Sequence, residues 1–276
     1  MAIHDAYARR TPFELAFRDR ERAAVLAQAV REEAAGRGID AGHPHMFVTL
    51  GSVGAFLREI QEPEAPPELV HAYAMLAYHA VSFERAGGPV YLLSRDAAGR
   101  LVDRAPEAAP EPPDEAGYLQ LPQHLFWAEG TSDEVPESID GMFWTIGSEG
   151  AVLHTLLVTG MRPDRPGLGV TPMPDAPLSE ASSWLTAAVR PNDEDFTSGI
   201  PGAEIDGLYG VRAAGEPLKL LARFFAHLAV AGARPRFRHG PADPPPDGPV
   251  PSALPFGRVG RHQDSEAADG EEAAGG

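Results

Sequence analysis

The stretch GMFWTIGSEGAVLHTLLVTG, residues 141 to 160, constrains the fold of this chain more than any other. Two runs rich in aromatic and β-branched residues flank Ser148-Glu149-Gly150, and a three-residue loop with glycine in the left-handed position is a favoured hairpin connection. That loop pairs Gly147 with Ala151 and sets Trp144 opposite His154. Alternation then puts Met142, Trp144, Ile146, Val152, His154 and Leu156 on one face, and Phe143, Thr145, Leu153, Thr155 and Leu157 on the other. Both faces are apolar, so the sheet needs a cover on both sides, with helices supplying at least one.

Strands extend from this hairpin in both directions. YLQLP and HLFWAE read as strands, and LGVTPMP as an edge strand blunted by its prolines. VYLLSR-DAAG-RLVD reads as a second hairpin with Gly99 in the turn. Helical signals dominate the start of the chain. Thr11 can cap, Pro12 suits the first helical position and Glu14 completes a capping box. A short helix fits Val53 to Ile60, and a longer one Pro67 to Arg85, apolar nearly all round and ended by Gly87-Gly88. Ser179 can cap a helix over 180 to 189, and a strongly apolar helix spans Glu216 to Ala231.

The organisation that follows has four parts. Residues 1–10 form a flexible N-terminus and 11–88 a helical part. Residues 89–240 form an α+β core, interrupted by a mobile Pro- and Glu-rich linker at 104–117. Residues 241–276 form a Pro-rich arm and a disordered acidic tail. The expected fold is α+β: an antiparallel sheet of about five or six strands over residues 89 to 174, with helices from the N-terminal and C-terminal parts packed on it.

Composition removes several functions. There is no cysteine, which excludes disulfides, thiolate catalysis and Cys-based zinc sites. No apolar run reaches membrane-span length, and the first residues lack a signal-peptide core, so a cytoplasmic protein is expected. The net charge of −17 disfavours nucleic acid and anionic membranes, and makes a basic protein surface the natural complement.

Specific chemical motifs are sparse. His43-Pro44-His45 lacks further ligands at metal spacing, and Glu68-x-x-His71 is a single copy of a motif that di-iron bundles use twice. No metal or cofactor is therefore expected. Ser52 in LGSVG sits where a nucleophile elbow would need glycine two residues earlier, at Leu50. His154 could serve as a general base given an orienting carboxylate and a cavity. The near-copies Phe126-Trp127 and Phe143-Trp144 could stack on a ligand or a peptide, although such aromatics more often fill sheet cores.

The order of these elements resembles the family of a type V-A anti-CRISPR protein. Leu119 to Pro122, Gly141 to Trp144, Leu153 to Val158 and Pro172 to Ser179 carry the resemblance, with the apolar helix Leu218 to Val230 after an acidic loop. It covers about 120 residues. It implies binding to a protein chain rather than catalysis. The chain departs from that pattern in being far more acidic and in lacking a basic C-terminal region, which argues against RNA association.

The function expected from sequence is a non-enzymatic protein- or peptide-binding module, related to anti-CRISPR-type regulators. Phe126, Trp127, Phe143, Trp144 and His154 form or support its binding surface. The alternative is a small-molecule hydrolase or other enzyme using His154 or Ser52. A purely structural subunit is the third reading.

Overall fold

The architecture was obtained from a computed structural model. It describes residues 8–12, 67–103, 111–122, 125–128, 137–147, 152–159, 169–172, 176–178, 215–230, 232–239 and 251–260, with isolated positions at 14, 28, 32, 35 and 36. The predicted helices at 53–60 and 180–189 lie outside these residues, as do Ser52, His43 and His45.

Helix α1 (Pro67–Arg85) has the predicted bounds. It ends because Gly87 and Gly88 adopt positive φ. The Gly88 N–H then donates to Phe83 O at 2.8 Å and the Gly87 N–H to Glu84 O at 3.0 Å. This is the Schellman pattern, which satisfies carbonyls the helix would otherwise leave open.

Strand β1 (Val90–Leu93) leads into helix α2 (Arg95–Asp103), not into a second strand. The predicted hairpin at 90–103 is thus corrected to strand and helix. Ser94 is the cap: its Oγ accepts from the Ala97 N–H at 3.2 Å, and its carbonyl accepts from Ala98 at 2.8 Å. Ala97, Ala98 and Leu101 form the buried stripe, and Gly99 sits on the exposed side rather than in a turn.

The remaining strands are β2 (Ala116–Gln120), β3 (Trp127–Ala128), β4 (Glu137–Ile146), β5 (Val152–Thr159), β6 (Gly169–Pro172) and β7 (Ala176–Pro177). Helix α3 (Gly215–Ala229), β8 (Phe237–Arg238) and β9 (Phe256–Val259) follow. Among the described residues, all nine strands join one sheet, ordered β6-β5-β4-β2-β1-β9-β8, with β3 paired to β4 and β7 to β5.

The sheet is mostly antiparallel, and the fully antiparallel expectation is corrected at its centre. β1 runs parallel to β2 and to β9. The helix at 95–103 is the physical reason for the β1–β2 pair. It carries the chain back across the sheet, as a parallel neighbour requires and a tight hairpin cannot. Strand β9 comes from the segment read as a Pro-rich arm, and β2 begins inside the segment read as a linker.

The β4/β5 hairpin forms, but one residue out of the expected register. Trp144 pairs with Thr155, and His154 pairs with Thr145. The Gly147 N–H donates to Val152 O at 2.8 Å, so four residues rather than three separate the closing pair. A one-residue slip moves every side chain of one strand to the other face. Met142, Trp144, Ile146, Leu153 and Leu157 consequently pack in the cluster with α2 and α3. Phe143, Thr145, His154 and Leu156 face α1.

The N-terminal residues are anchored at Ala8 to Thr11. The guanidinium of Arg9 donates to Asp140 Oδ1 at 2.9 Å and to Leu121 O at 3.0 Å. The capping box forms as predicted: the Thr11 N–H donates to Glu14 Oε2 at 2.7 Å and the Glu14 N–H to Thr11 Oγ1 at 3.3 Å. The same carboxylate accepts from Ser252 Oγ and the Ala253 N–H, both at 2.8 Å, and so ties the chain start to the segment that becomes β9.

Candidate functional site

Trp144 and Phe143 are both 0% exposed and lie on opposite faces of β4. The indole of Trp144 packs 5.4 Å from Phe225 and 5.6 Å from Tyr91, and its Nε1–H donates to Asp114 O at 3.2 Å. Phe143 meets Tyr118 at 4.6 Å and Phe83 edge-on at 5.4 Å. Neither ring can touch a partner in this arrangement. Any part they play in binding is to support the sheet from within.

The first FW phrase lies elsewhere. β3 pairs with the beginning of β4, setting Trp127 opposite Ser138. Six residues of β4, about 20 Å, separate that position from Trp144, so the two phrases build no common platform. Phe126 is half-buried against the core cluster. The side chain of Trp127 lies outside the described residues.

His154 is buried, at 4% exposure, and joins a polar row between α1 and the sheet. Its cross-strand neighbour Thr145 meets His79 Nδ1 at 2.9 Å. The ring of Tyr78 stands edge-on to both histidines, at 5.3 Å from His79 and 5.6 Å from His154. The row is closed to substrate in this arrangement. It satisfies polar groups inside an apolar layer, where an unmet group costs about 1–3 kcal/mol. Among the described residues, no group of three or more His, Cys, Asp or Glu side chains is placed to hold a metal.

Two tyrosines next to the core are held neutral. Burial, and then the hydrogen bond to Asp114 Oδ2, push the Tyr91 phenol far above its ordinary range. Burial does the same to Tyr118. The positive charge of Arg234 opposes the rise at Tyr91.

The exposed chemistry is at the other edge, on residues the sequence reading did not single out. β8 is the last strand of the sheet beside β9. Phe237 is 42% exposed, one of two large hydrophobic side chains so exposed among the described residues. Its ring stands edge-on to Tyr91 at 5.2 Å, on the side of α2 and α3. Arg238 points to the opposite side, 5.6 Å above the ring of Phe256, and Arg258 lies 6.0 Å from the same ring. Arg234, Arg236 and His239 are exposed beside them. Gly257 permits this edge to form, because a Cβ there would run into Pro235. The signal was present as Arg-Pro-Arg-Phe-Arg-His, but a two-residue strand is too short for periodicity to detect.

No protein-family model matches the chain, and no curated protein matches it. Among solved structures, the crystal structure of AcrVA2, an anti-CRISPR protein, aligns with 91% of this chain and 83% of its own at a TM-score of 0.44 and 14% identity. The resemblance is distant.

Proposed function

We propose that this chain is a non-enzymatic protein- or peptide-binding module, and that β8 is its contact strand. One observation carries the reading. β8 ends the sheet with no further strand beside it among the described residues, and it presents Phe237 to solvent. An extended segment can add to such an edge, gaining main-chain hydrogen bonds along it and an aromatic contact from Phe237. Phe143 and Trp144 stiffen the sheet from inside. Phe126 and Trp127 are a second contact across the sheet from β8. An anti-CRISPR-type regulator is the specific form suggested by the sequence resemblance.

The test is affinity capture from the native host with the wild-type chain and with a folded Phe237→Asp variant. A protein retained by the wild type and lost by the variant supports the reading. A partner held equally by both moves the contact away from β8. The absence of any specific partner for a well-folded bait overturns the binding module.

A further inference from the structure

Resting on the reading of β8 as the contact strand, we infer that residues 8–14 are a clasp that governs the opening of that edge. Among the described strands β8 pairs only with β9, through Phe237 opposite Gly257 and Arg238 opposite Phe256. A two-residue strand does not persist alone, so β8 is in place only while β9 is. β9 is in turn a four-residue strand laid parallel to β1. The chain approaches it through Pro251 to Pro255, and the clasp closes on that approach.

The clasp has two grips. On one side Arg9 is fixed to the antiparallel half of the sheet. Its backbone N–H donates to Gln120 Oε1 at 2.7 Å, and its guanidinium donates to Asp140 Oδ1 and Leu121 O. On the other side the same short segment holds the approach to β9. The Ser252 N–H donates to Ala8 O at 2.7 Å, and Arg9 bridges Pro251. The Glu14 carboxylate accepts from Ser252 Oγ and from the Ala253 N–H. Ser252 Oγ itself accepts from the Leu254 N–H at 3.0 Å, which carries the constraint toward the strand. Glu14 is thus shared between the helix start at Thr11 and a serine 238 residues later in the chain.

Two contributions therefore hold the edge. Leu254, Phe256 and Val259 are enclosed, at 1% exposure or less, and favour the sheet through burial. The clasp is the second, and it comes from the far end of the chain, where local opening is easiest. When residues 8–14 let go, β9 loses its tie to the antiparallel half, and β8 opens with it. Linkage makes the coupling reciprocal: a strand docked on β8 stabilises β9 and so tightens the clasp. Residues 8–14 are thus coupled to binding from a position at β2 and β4, away from the contact strand.

Hydrogen exchange on the full chain, read amide by amide by NMR, tests the clasp without any ligand. Glu14→Ala removes the acceptor of the Thr11, Ser252 and Ala253 donors. Amides of β8 and β9 should then exchange roughly tenfold faster, while those of β4 and β5 keep the wild-type rate. Ser252→Ala removes one bond of the set. It should give a smaller change at the same residues, and it decides the matter if Glu14→Ala does not fold. Thr145→Val, destabilised within the antiparallel half, should leave exchange at β8 and β9 unchanged.

Unchanged exchange at β8 and β9 in the folded variants overturns the clasp and leaves the contact strand standing. A uniform rise across every strand also overturns it, because Glu14 is then an ordinary contributor to the whole fold. A partner held equally by Phe237→Asp and the wild type overturns β8 as the contact strand and leaves the exchange result intact.

Discussion

The indole of Trp144 occupies the space that a side chain on Gly117 would need. The two residues are cross-strand partners, and a Cβ on Gly117 would overlap the indole ring itself. Trp144 also bonds Asp114 O, and Tyr91 and Phe225 border it, so the ring has nowhere to retreat. Overpacking of this kind costs about 1–3 kcal/mol. Gly117→Ala should lower the urea midpoint accordingly. Trp144→Ala should lower it more, by about 3–5 kcal/mol, because it leaves a cavity. An unchanged midpoint for Gly117→Ala would show that the indole is not fixed there.

Thr145 serves the buried row between α1 and the sheet by meeting His79 Nδ1. Replacing it with valine keeps the shape and deletes the hydroxyl. The expected loss is about 1–3 kcal/mol, since the ring nitrogen stays buried. Thr145→Ser, which retains the hydroxyl, should cost less. Thermal unfolding of the pair decides it: equal melting temperatures for Val and Ser would mean that the hydroxyl contributes nothing.

Alkaline pH should destabilise the fold. The folded-state pKa values of Tyr91 and Tyr118 are raised above their unfolded values by burial. Their contribution is therefore fully present below the ordinary phenol pKa of about 10 and is lost as pH rises beyond it. Each phenol should reduce stability by about 1.4 kcal/mol per pH unit there. Urea midpoints between about pH 8 and pH 12 should fall along this slope, and Tyr91→Phe should make the fall shallower. Ionisation of both tyrosines near pH 10 in the folded chain, seen by phenolate absorbance, would contradict it.

Lys219 is the single lysine of the chain and is 0% exposed, with Glu216 Oε1 2.8 Å from its ammonium. An amine-acylating reagent should spare it in the folded protein and modify it on unfolding. Mass spectrometry after a brief exposure gives the answer. Rapid acylation of Lys219 under native conditions would mean that this face of α3 opens readily.

How much of this was legible in the sequence depends on the range of the interaction involved. The end of α1 at Gly87-Gly88, the Thr11–Glu14 box and the existence of the β4/β5 hairpin rest on residues close together in the chain. Local chemistry determines them, and the sequence alone carried them.

The register of that hairpin was decided elsewhere. Three- and four-residue closures are both compatible with the stretch after Gly147. What distinguishes them is packing on the two faces: the α2/α3 side takes Trp144, with room left by Gly117, together with Leu153 and Leu157, and the α1 side takes His154 beside Tyr78. The Gly117 contact sets the face of Trp144, the β4/β5 pairing then puts His154 on the other face, and both Phe143 and Trp144 end enclosed. The helix at 95–103 lay between, since Ser94 as a cap competed with Gly99 as a turn and only packing of Ala97, Ala98 and Leu101 beside α3 resolved it. The β8–β9 edge was beyond sequence reach for a physical reason. Its pairing joins Phe237 to Gly257 and then Val90 to Phe256, strands far apart in the chain and too short to announce themselves by pattern. The sequence determined the elements and the charge; the tertiary structure decided which aromatics were enclosed and which arginines were brought beside β8 and β9.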